Sequence, residues 1–421
     1  MQRQRKLSGS NFIRSLVFGW MGNPASTLDG LSRTAAFQQL PISPQGLDKR
    51  FTQTASEFIQ QVLEQAIAQA VSSDRPVQWA LCQRFPAVYV EDSTQIALPD
   101  ELTSLWKGTG GGGESKLTNQ AALKIDLQYD LNGGETRLAL RSGRDADNRS
   151  PLLNAVQTPG SLHIRDLGYF DLKRMEAEAQ RGEYWLSRLL SGTNVYTSTE
   201  QPEAIDLGQT LQELAAKNIT IAERSVLVGV TAQLQARLIM VRLSAESAAR
   251  QRAAAIAKAA KRGRTPSERH LALCDWWLLI TNAPPTLLET AEAPNLYGSR
   301  WQIELIFKLW KSQSRLAVSR SANVWRILCE IYVKLLIILI QHWIMLTGLW
   351  EIPQRSLTKG VQAIQEQASH LAACIAERRS LIKCLKQLAK LFASSTACRQ
   401  NKRRKKPNNW MRLQQVREWR A

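Results

Sequence analysis

Apolar residues recur at three- and four-residue intervals through the first 80 positions, the spacing of α-helices with one buried face. A short run covers residues 12–20 and a second covers 28–40. Pro41 and the turn-forming Ser43-Pro44-Gln45-Gly46 separate these from a longer helix at about 48–71. Its apolar stripe is Phe51, Ala55, Phe58, Ile59, Val62, Leu63, Ala66 and Ile67. Helix, turn and helix with Lys49 and Arg50 at the joint fit two readings, a DNA-binding helix-turn-helix and an ordinary helical bundle.

From residue 86 the period shortens to two. Ala87-Val88-Tyr89-Val90 reads as a strand that ends at Asp92, and residues 123–129 alternate strictly. Asn132-Gly133-Gly134 supplies a turn and 136–140 alternates back, which makes a β-hairpin. A short helix is expected at 151–156, a strand at 162–165 that ends in Asp166, a helix at 172–180 and a strand at 184–190. Strand, hairpin, helix, strand, helix, strand is the order of a ribonuclease-H-like α/β core. Residues 191–290 read as an insertion, with strands at 225–230, 237–243 and 271–281 and an Ala-rich basic helix from 245 to about 261. A long helix starts after Pro294, and the chain stays helical to about residue 393. The expected fold is α/β: a ribonuclease-H-like mixed-sheet core with a β-rich insertion, flanked by helical N- and C-terminal regions. The expected divisions are 1–80, 81–190, 191–290, 291–350 and 351–421.

Composition narrows the possible partners. Fifty-five Lys and Arg against 36 Asp and Glu give a net charge of +19, and 44% of the 421 residues are hydrophobic, enough for a sizeable core. So large a charge is self-repelling in a compact fold and calls for a polyanion, nucleic acid first and an anionic membrane surface second. The most apolar stretch, 327–349, contains Glu330, Lys334, Gln341 and His342. Its charge-free core is too short to span a bilayer, so it reads as a buried helix. The opening Met-Gln-Arg-Gln-Arg-Lys has no clean apolar run behind it and is not read as a signal peptide. Six cysteines without a Cys-x-x-Cys pair fit reduced thiols rather than a disulfide framework or a structural zinc site. The basic run 402–406 reads as a solvated arm suited to phosphates. The Gly-rich 108–113 is followed by Glu114-Ser115-Lys116 instead of Lys-Ser/Thr, so it is a loop and not a phosphate cradle.

Three carboxylates stand out. Asp92 and Asp166 each follow an apolar strand, and Glu304 lies in the segment from Tyr297 to Lys311. On one continuous helix Tyr297, Arg300, Glu304 and Lys311 share a face, with Ile303, Ile306, Leu309 and Trp310 opposite. An Arg300–Glu304 surface ion pair is the simpler reading of that face alone. Three acids converging in a basic chain repel one another unless cations neutralise them, and hard oxygen ligands suit Mg²⁺ or Mn²⁺. Two such ions activate an attacking oxygen and stabilise a leaving one at phosphorus. Asp126, Asp130, Asp145 and Asp147 flank a turn and a helix start, where Asp is common for backbone reasons.

The spacing Tyr-x2-Arg-x3-Glu-x6-Lys resembles the YREK signature of bacterial cut-and-paste insertion-sequence DDE transposases. Asp92-Ser93-Thr94-Gln95-Ile96-Ala97-Leu98-Pro99 is similar to that group's first Asp block, and Asp166-Leu167-Gly168-Tyr169-Phe170 to its second. The resemblance covers about residues 80–350. It implies that Asp92, Asp166 and Glu304 ligate two Mg²⁺ ions, with Mn²⁺ as a substitute, and that Tyr297, Arg300 and Lys311 contact DNA phosphates. It implies double-stranded DNA as partner (terminal inverted repeats and target), a homodimer on DNA, no membrane, and a cytoplasmic, nucleoid-associated location. The implied reaction is cleavage at transposon ends followed by strand transfer, through a DNA hairpin. Trp276 or Trp277 is the candidate for stacking on a flipped base, with core packing as the alternative. The rival functions are a nuclease without strand transfer and a catalytically silent DNA-binding derivative.

Overall fold

The computed structural model describes residues 7–73, 79–109, 120–155, 157–261, 263–316, 319, 321–350, 352, 355–394 and 396–399. The N-terminal six residues, Gly110–Gly113 of the Gly-rich stretch and the basic run 402–406 lie outside them. The chain divides into two units. One comprises residues 1–78, 93–145 and 302–406, the other 79–92, 146–301 and 407–421. The chain therefore passes between them five times, including at Asp92/Ser93 and Trp301/Gln302.

The first unit begins with α1 (Gly9–Gly22), α2 (Leu28–Phe37), α3 (Pro44–Asp48) and α4 (Gln53–Ile67). Each starts where a hydroxyl can accept an amide, at Ser8, Thr27, Ser43 and Thr52. The segment expected to be a plain turn at 43–46 forms α3 because Ser43 caps it and Pro44 occupies its first turn. The cap at Thr52 likewise starts the next helix later than the apolar stripe suggests. Lys49 and Arg50 are exposed in that joint. The second part of β1 (Val88–Leu98) belongs to this unit, and so do β2 (Ala121–Asp130) and β3 (Thr136–Ser142), which pair antiparallel from Leu123↔Ser142 to Tyr129↔Thr136. β2 lies beside β1. All ten β2 residues are buried although their polarity alternates. The polar face survives burial through partners: Arg141 binds Asp126 at 2.5 and 2.9 Å, and Lys124 Nζ donates to the Asp145 carbonyl. At the turn Gly134 has φ +74°, which only glycine adopts freely.

The unit also holds α10 (Trp301–Ser314). The unit's remaining helices are α11 (Val324–Leu346), α12 (Leu357–Glu366), α13 (Ala368–Cys374) and α14 (Arg378–Ala393). Helix α11 packs against α4 and α1. It is the one described helix with the length and apolarity to cross a membrane, and 89% of its apolar window is buried in the protein. Its internal charges answer each other: Lys334 Nζ lies 2.7 Å from Glu330 and donates to the Arg315 carbonyl.

The second unit holds the order β1-β4-β5-β9-β8-β7-β6. Its elements are β4 (Leu162–Arg165), α5 (Leu172–Gln180), β5 (Tyr184–Arg188), β6 (Val195–Thr197), α6 (Leu207–Ala216), β7 (Ile221–Val228), β8 (Leu234–Arg242), α7 (Ala245–Ala260), α8 (Glu268–Leu273) and β9 (Trp276–Thr281). β1, β4 and β5 are parallel, and the rest of the order is antiparallel. The expected β4 and α5 match residue for residue. The expected strand at 271–281 is instead α8 followed by β9, because Ser267 caps the first half as a helix. At 151–156 only a 3-10 turn forms, at Pro151–Asn154. The core of the unit gathers Trp185, Met175, Val226, Leu238, Trp276 and Ile280.

Candidate active site

The three parallel strands set the geometry. β1 and β4 pair from Val88↔Leu162 to Glu91↔Arg165, and β4 and β5 pair through Ile164↔Leu186. One step beyond the last β1–β4 pair lie Asp92 and Asp166, and two steps beyond Ile164↔Leu186 lie Asp166 and Arg188. The two acids therefore stand at the same end of neighbouring strands. Asp92 is not at a strand terminus as expected from its sequence, because β1 continues through it to Leu98. Asp166 leaves β4 into a 3-10 turn, and its Oδ1 accepts the Leu167 amide at 2.7 Å, which fixes the carboxylate.

The long helix expected after Pro294 is two helices, α9 (Ala293–Gly298) and α10 (Trp301–Ser314). Gly298 is a poor helix former. Ser299 donates its hydroxyl to the Leu296 carbonyl, and the Arg300 amide bonds Tyr297 in a three-residue turn. Tyr297, Arg300, Glu304 and Lys311 thus do not share one helix face. Tyr297 ends α9, Arg300 lies in the turn, and Glu304 and Lys311 lie on α10 in the first unit, the former half-buried and the latter exposed.

Within the second unit Arg300 donates to Asp92 Oδ2 at 2.9 Å. Tyr297 is buried, and its hydroxyl has no hydrogen-bond partner among the described residues. Burial pushes its pKa up to about 12, Asp166 and Asp92 add to the rise, and Arg300 and Arg188 oppose it. The Trp277 ring meets the Tyr297 ring edge-on at 6.2 Å, while Trp276 is buried in the core. Arg84, just before β1, anchors the approach to α9 by gripping Glu292 at 2.8 and 3.0 Å and the Leu287 carbonyl at 3.1 Å. Sequence reading had missed Arg188. Its place at the end of a strand parallel to the two acid-bearing strands is the signal that could have found it.

Beneath the two acids lies a buried charge network. Glu91 and Arg165 each precede a site carboxylate and point to the opposite face of the sheet. Arg165 is ion-paired with Glu91 and bonds Glu178 of α5 at 2.7 Å. His163 contacts Glu91 at 3.4 Å and Glu183 at 3.0 Å, and Glu183 also takes Arg181 at 2.7 Å. Burial works against the charged forms, yet the opposite charges prevail. They hold Glu91 well below the carboxylate range and Glu183 at about 2, and they raise His163.

Asp92 and Asp166 offer hard oxygen donors on a rigid sheet, the donor type that suits a divalent ion such as Mg²⁺. The orphaned Tyr297 hydroxyl beside them provides a polar partner for a group that arrives from outside.

The parallel strand trio with its two aligned acids, inside a mixed sheet flanked by helices, defines a ribonuclease-H-like catalytic domain. A family profile described as the transposase DDE domain matches residues 83–340. The transposase for insertion sequence element IS231F of Bacillus thuringiensis subsp. israelensis is 30% identical over 359 residues, covering 80% of this chain and 73% of that protein. The IS231B transposase of B. thuringiensis subsp. berliner is 28% identical, covering 81% and 73%. The IS1151 transposase of Clostridium perfringens is 26% identical, covering 83% and 76%. The chain belongs to the DDE transposase family, enzymes that act on DNA by phosphoryl transfer and use divalent metal ions.

Proposed function

We propose that Asp92, Asp166 and Glu304 form the metal-holding triad of a cut-and-paste transposase, which frees insertion-sequence ends and joins them to target DNA. The observation that carries this reading is the alignment of Asp92 and Asp166 one step beyond the paired stretch of two adjacent parallel strands, with Arg300 on the first. Glu304 follows Arg300 by four residues in sequence, and all three acids fall inside the matched family region.

Two Mg²⁺ ions, or Mn²⁺ in their place, would supply electrostatic stabilisation of the attacking and leaving oxygens when bound. The chain's own groups do the rest. The Leu167 amide orients Asp166. Arg300 orients Asp92 and, once DNA is present, turns to a phosphate flanking the scissile bond. Tyr297 donates its hydroxyl to a second phosphate, and Lys311 neutralises a third. Trp277, half-buried beside Tyr297, is the better placed of the two tryptophans to meet a flipped base. The helical segment 1–80 recognises terminal repeats, residues 191–290 support a hairpin route for the second strand, and 351–421 assists assembly. Two copies hold the two ends, at the bacterial nucleoid.

The test uses purified protein, Mg²⁺ and a labelled duplex carrying the repeats that flank its gene. Nicked, hairpin and joined products that vanish in Glu304→Ala, while DNA binding persists, would support the reading. Cleavage without joining would make the protein a nuclease, and binding without cleavage in either metal would make it a silent derivative.

A further inference from the structure

A second cluster of metal-capable side chains lies far along the sequence from the site residues. His370 and Cys374 stand four residues apart on α13, so they share one helix face, and Cys384 comes from α14. The His370 Nε2, Cys374 Sγ and Cys384 Sγ atoms all lie within 4.8 Å of one another. Both sulfurs are buried, and the imidazole is on the exposed side. We propose that these three groups bind a thiophilic cation of the zinc class and that the ion braces α13 against α14.

The geometry supports this in three ways. Zinc bonds of about 2.3 Å to sulfur and 2.0–2.1 Å to nitrogen, at a tetrahedral angle, place the two donors about 3.6 Å apart. The observed His370 Nε2–Cys374 Sγ separation is 3.7 Å, close to that spacing. The donor set of two sulfurs and one imidazole selects soft or borderline ions over Mg²⁺. Three protein ligands leave the fourth position, on the exposed side, for water. The other such cluster among the described residues, His163 with Glu178 and Glu183, offers no comparable opening because Arg165 and Arg181 already neutralise its carboxylates.

The absence of Cys-x-x-Cys pairs hid the site. Its spacing is His-x3-Cys-x9-Cys, which aligns only when a helix contributes the first pair and a helical hairpin returns the third ligand. The sulfurs bind as thiolates, so binding releases protons and tightens as pH rises. The brace also makes the stability of the C-terminal helices depend on the ion.

The test titrates Co²⁺ and Zn²⁺ into the full-length reduced protein and into His370→Ala, Cys374→Ala and Cys384→Ala. The expected result is one tightly bound ion per chain beyond any held by Asp92, Asp166 and Glu304, a thiolate-to-cobalt charge-transfer band, and a Tm that Zn²⁺ raises. The band disappears in either cysteine variant. His370→Ala, at an exposed position that leaves folding intact, weakens binding by about tenfold or more. No bound ion in the wild type, or equal binding in wild type and His370→Ala, overturns the proposal. So does a Cys374–Cys384 disulfide, seen as the loss of two hydrogens by intact mass, if reduction does not restore metal binding.

Discussion

The guanidinium of Arg165, one residue before Asp166, is ion-paired with the carboxylate of Glu91, one residue before Asp92. The two are register partners on parallel strands and are almost entirely buried. A slip of one residue between β1 and β4 would expose both faces of the strand to the wrong surroundings and would leave both charges unpaired. This pair therefore fixes the register that puts Asp92 next to Asp166. Arg165→Leu, which strands two buried carboxylates, should lower stability by about 3–5 kcal/mol in denaturant unfolding followed by tryptophan fluorescence. A loss below 1 kcal/mol would show that the register is held by other means.

The same network predicts the response to pH. Glu183 sits at about 2 in the fold against an ordinary 4.5, so its stabilisation is complete above 4.5 and is lost as pH falls from there towards 2. Raised His163 works the other way. Its contribution is complete below 6.5 and is lost as pH climbs through its higher folded value. Tm should therefore fall on both sides of a plateau. His163→Gln should flatten the alkaline slope and also weaken the acid limb, because His163 helps hold Glu183 low, and an unchanged alkaline slope would count against the assignment.

Arg300 and Asp92 should separate structure from chemistry. Arg300→Ala should leave the circular dichroism spectrum unchanged and reduce cleavage about a hundredfold or more, the usual loss when a preorganised charge donor is removed. Arg300→Lys should recover only part of this, because a lysine cannot bridge a carboxylate and a phosphate in one plane.

Tyr297→Phe isolates a single hydroxyl. That hydroxyl is buried and unpartnered among the described residues, so its removal should keep or slightly raise Tm, by a free energy of about 1 kcal/mol. Cleavage of repeat-end DNA should fall by about tenfold, the loss of one hydrogen bond to a charged phosphate. Full activity in this variant would remove Tyr297 from the DNA contacts.

Gly134→Ala tests the hairpin turn. The position has φ +74°, and an added Cβ would lie 2.6 Å from Leu346 Cδ2 and 2.9 Å from Trp350 Cε2. Both the strained backbone and the clash count against it, so a loss of about 1–3 kcal/mol is expected in the same unfolding measurement.

Periodicity made β4, α5, α7 and the β2–β3 hairpin legible, since each carries its own apolar pattern and its own caps or turn. It failed where neighbours decide the outcome. Residues 271–281 are apolar but for Asp275 and Thr281, and the Ser267 cap makes their first part the helix α8 ahead of β9. The break between α9 and α10 rests on Gly298 and a single hydroxyl bond at Ser299, too small a signal against an otherwise helical pattern. β6 was missed because a three-residue strand has no period to read, and α6, ten residues behind the Asp206 cap, because the stretch 191–290 was read for strands. At the site, Asp166 was visible as a strand-end residue and Asp92 by the apolar run before it, although β1 continues past it, whereas Arg188 and the Glu91–Arg165 pair emerged only once the parallel register was known.

The ion pair inside α11 has a consequence at an earlier moment in the protein's life. While the chain is leaving the ribosome, residues 324–346 form a long apolar segment with no partner to pack against, the kind of segment that insertion machinery draws into a bilayer. Lys334 stands at its centre, and moving a lysine to the middle of a membrane costs about 2.5–3.5 kcal/mol on the insertion scale. The charge that later sits 2.7 Å from Glu330 thus first acts as a sorting mark, keeping a sequence built for a protein interior out of a lipid one.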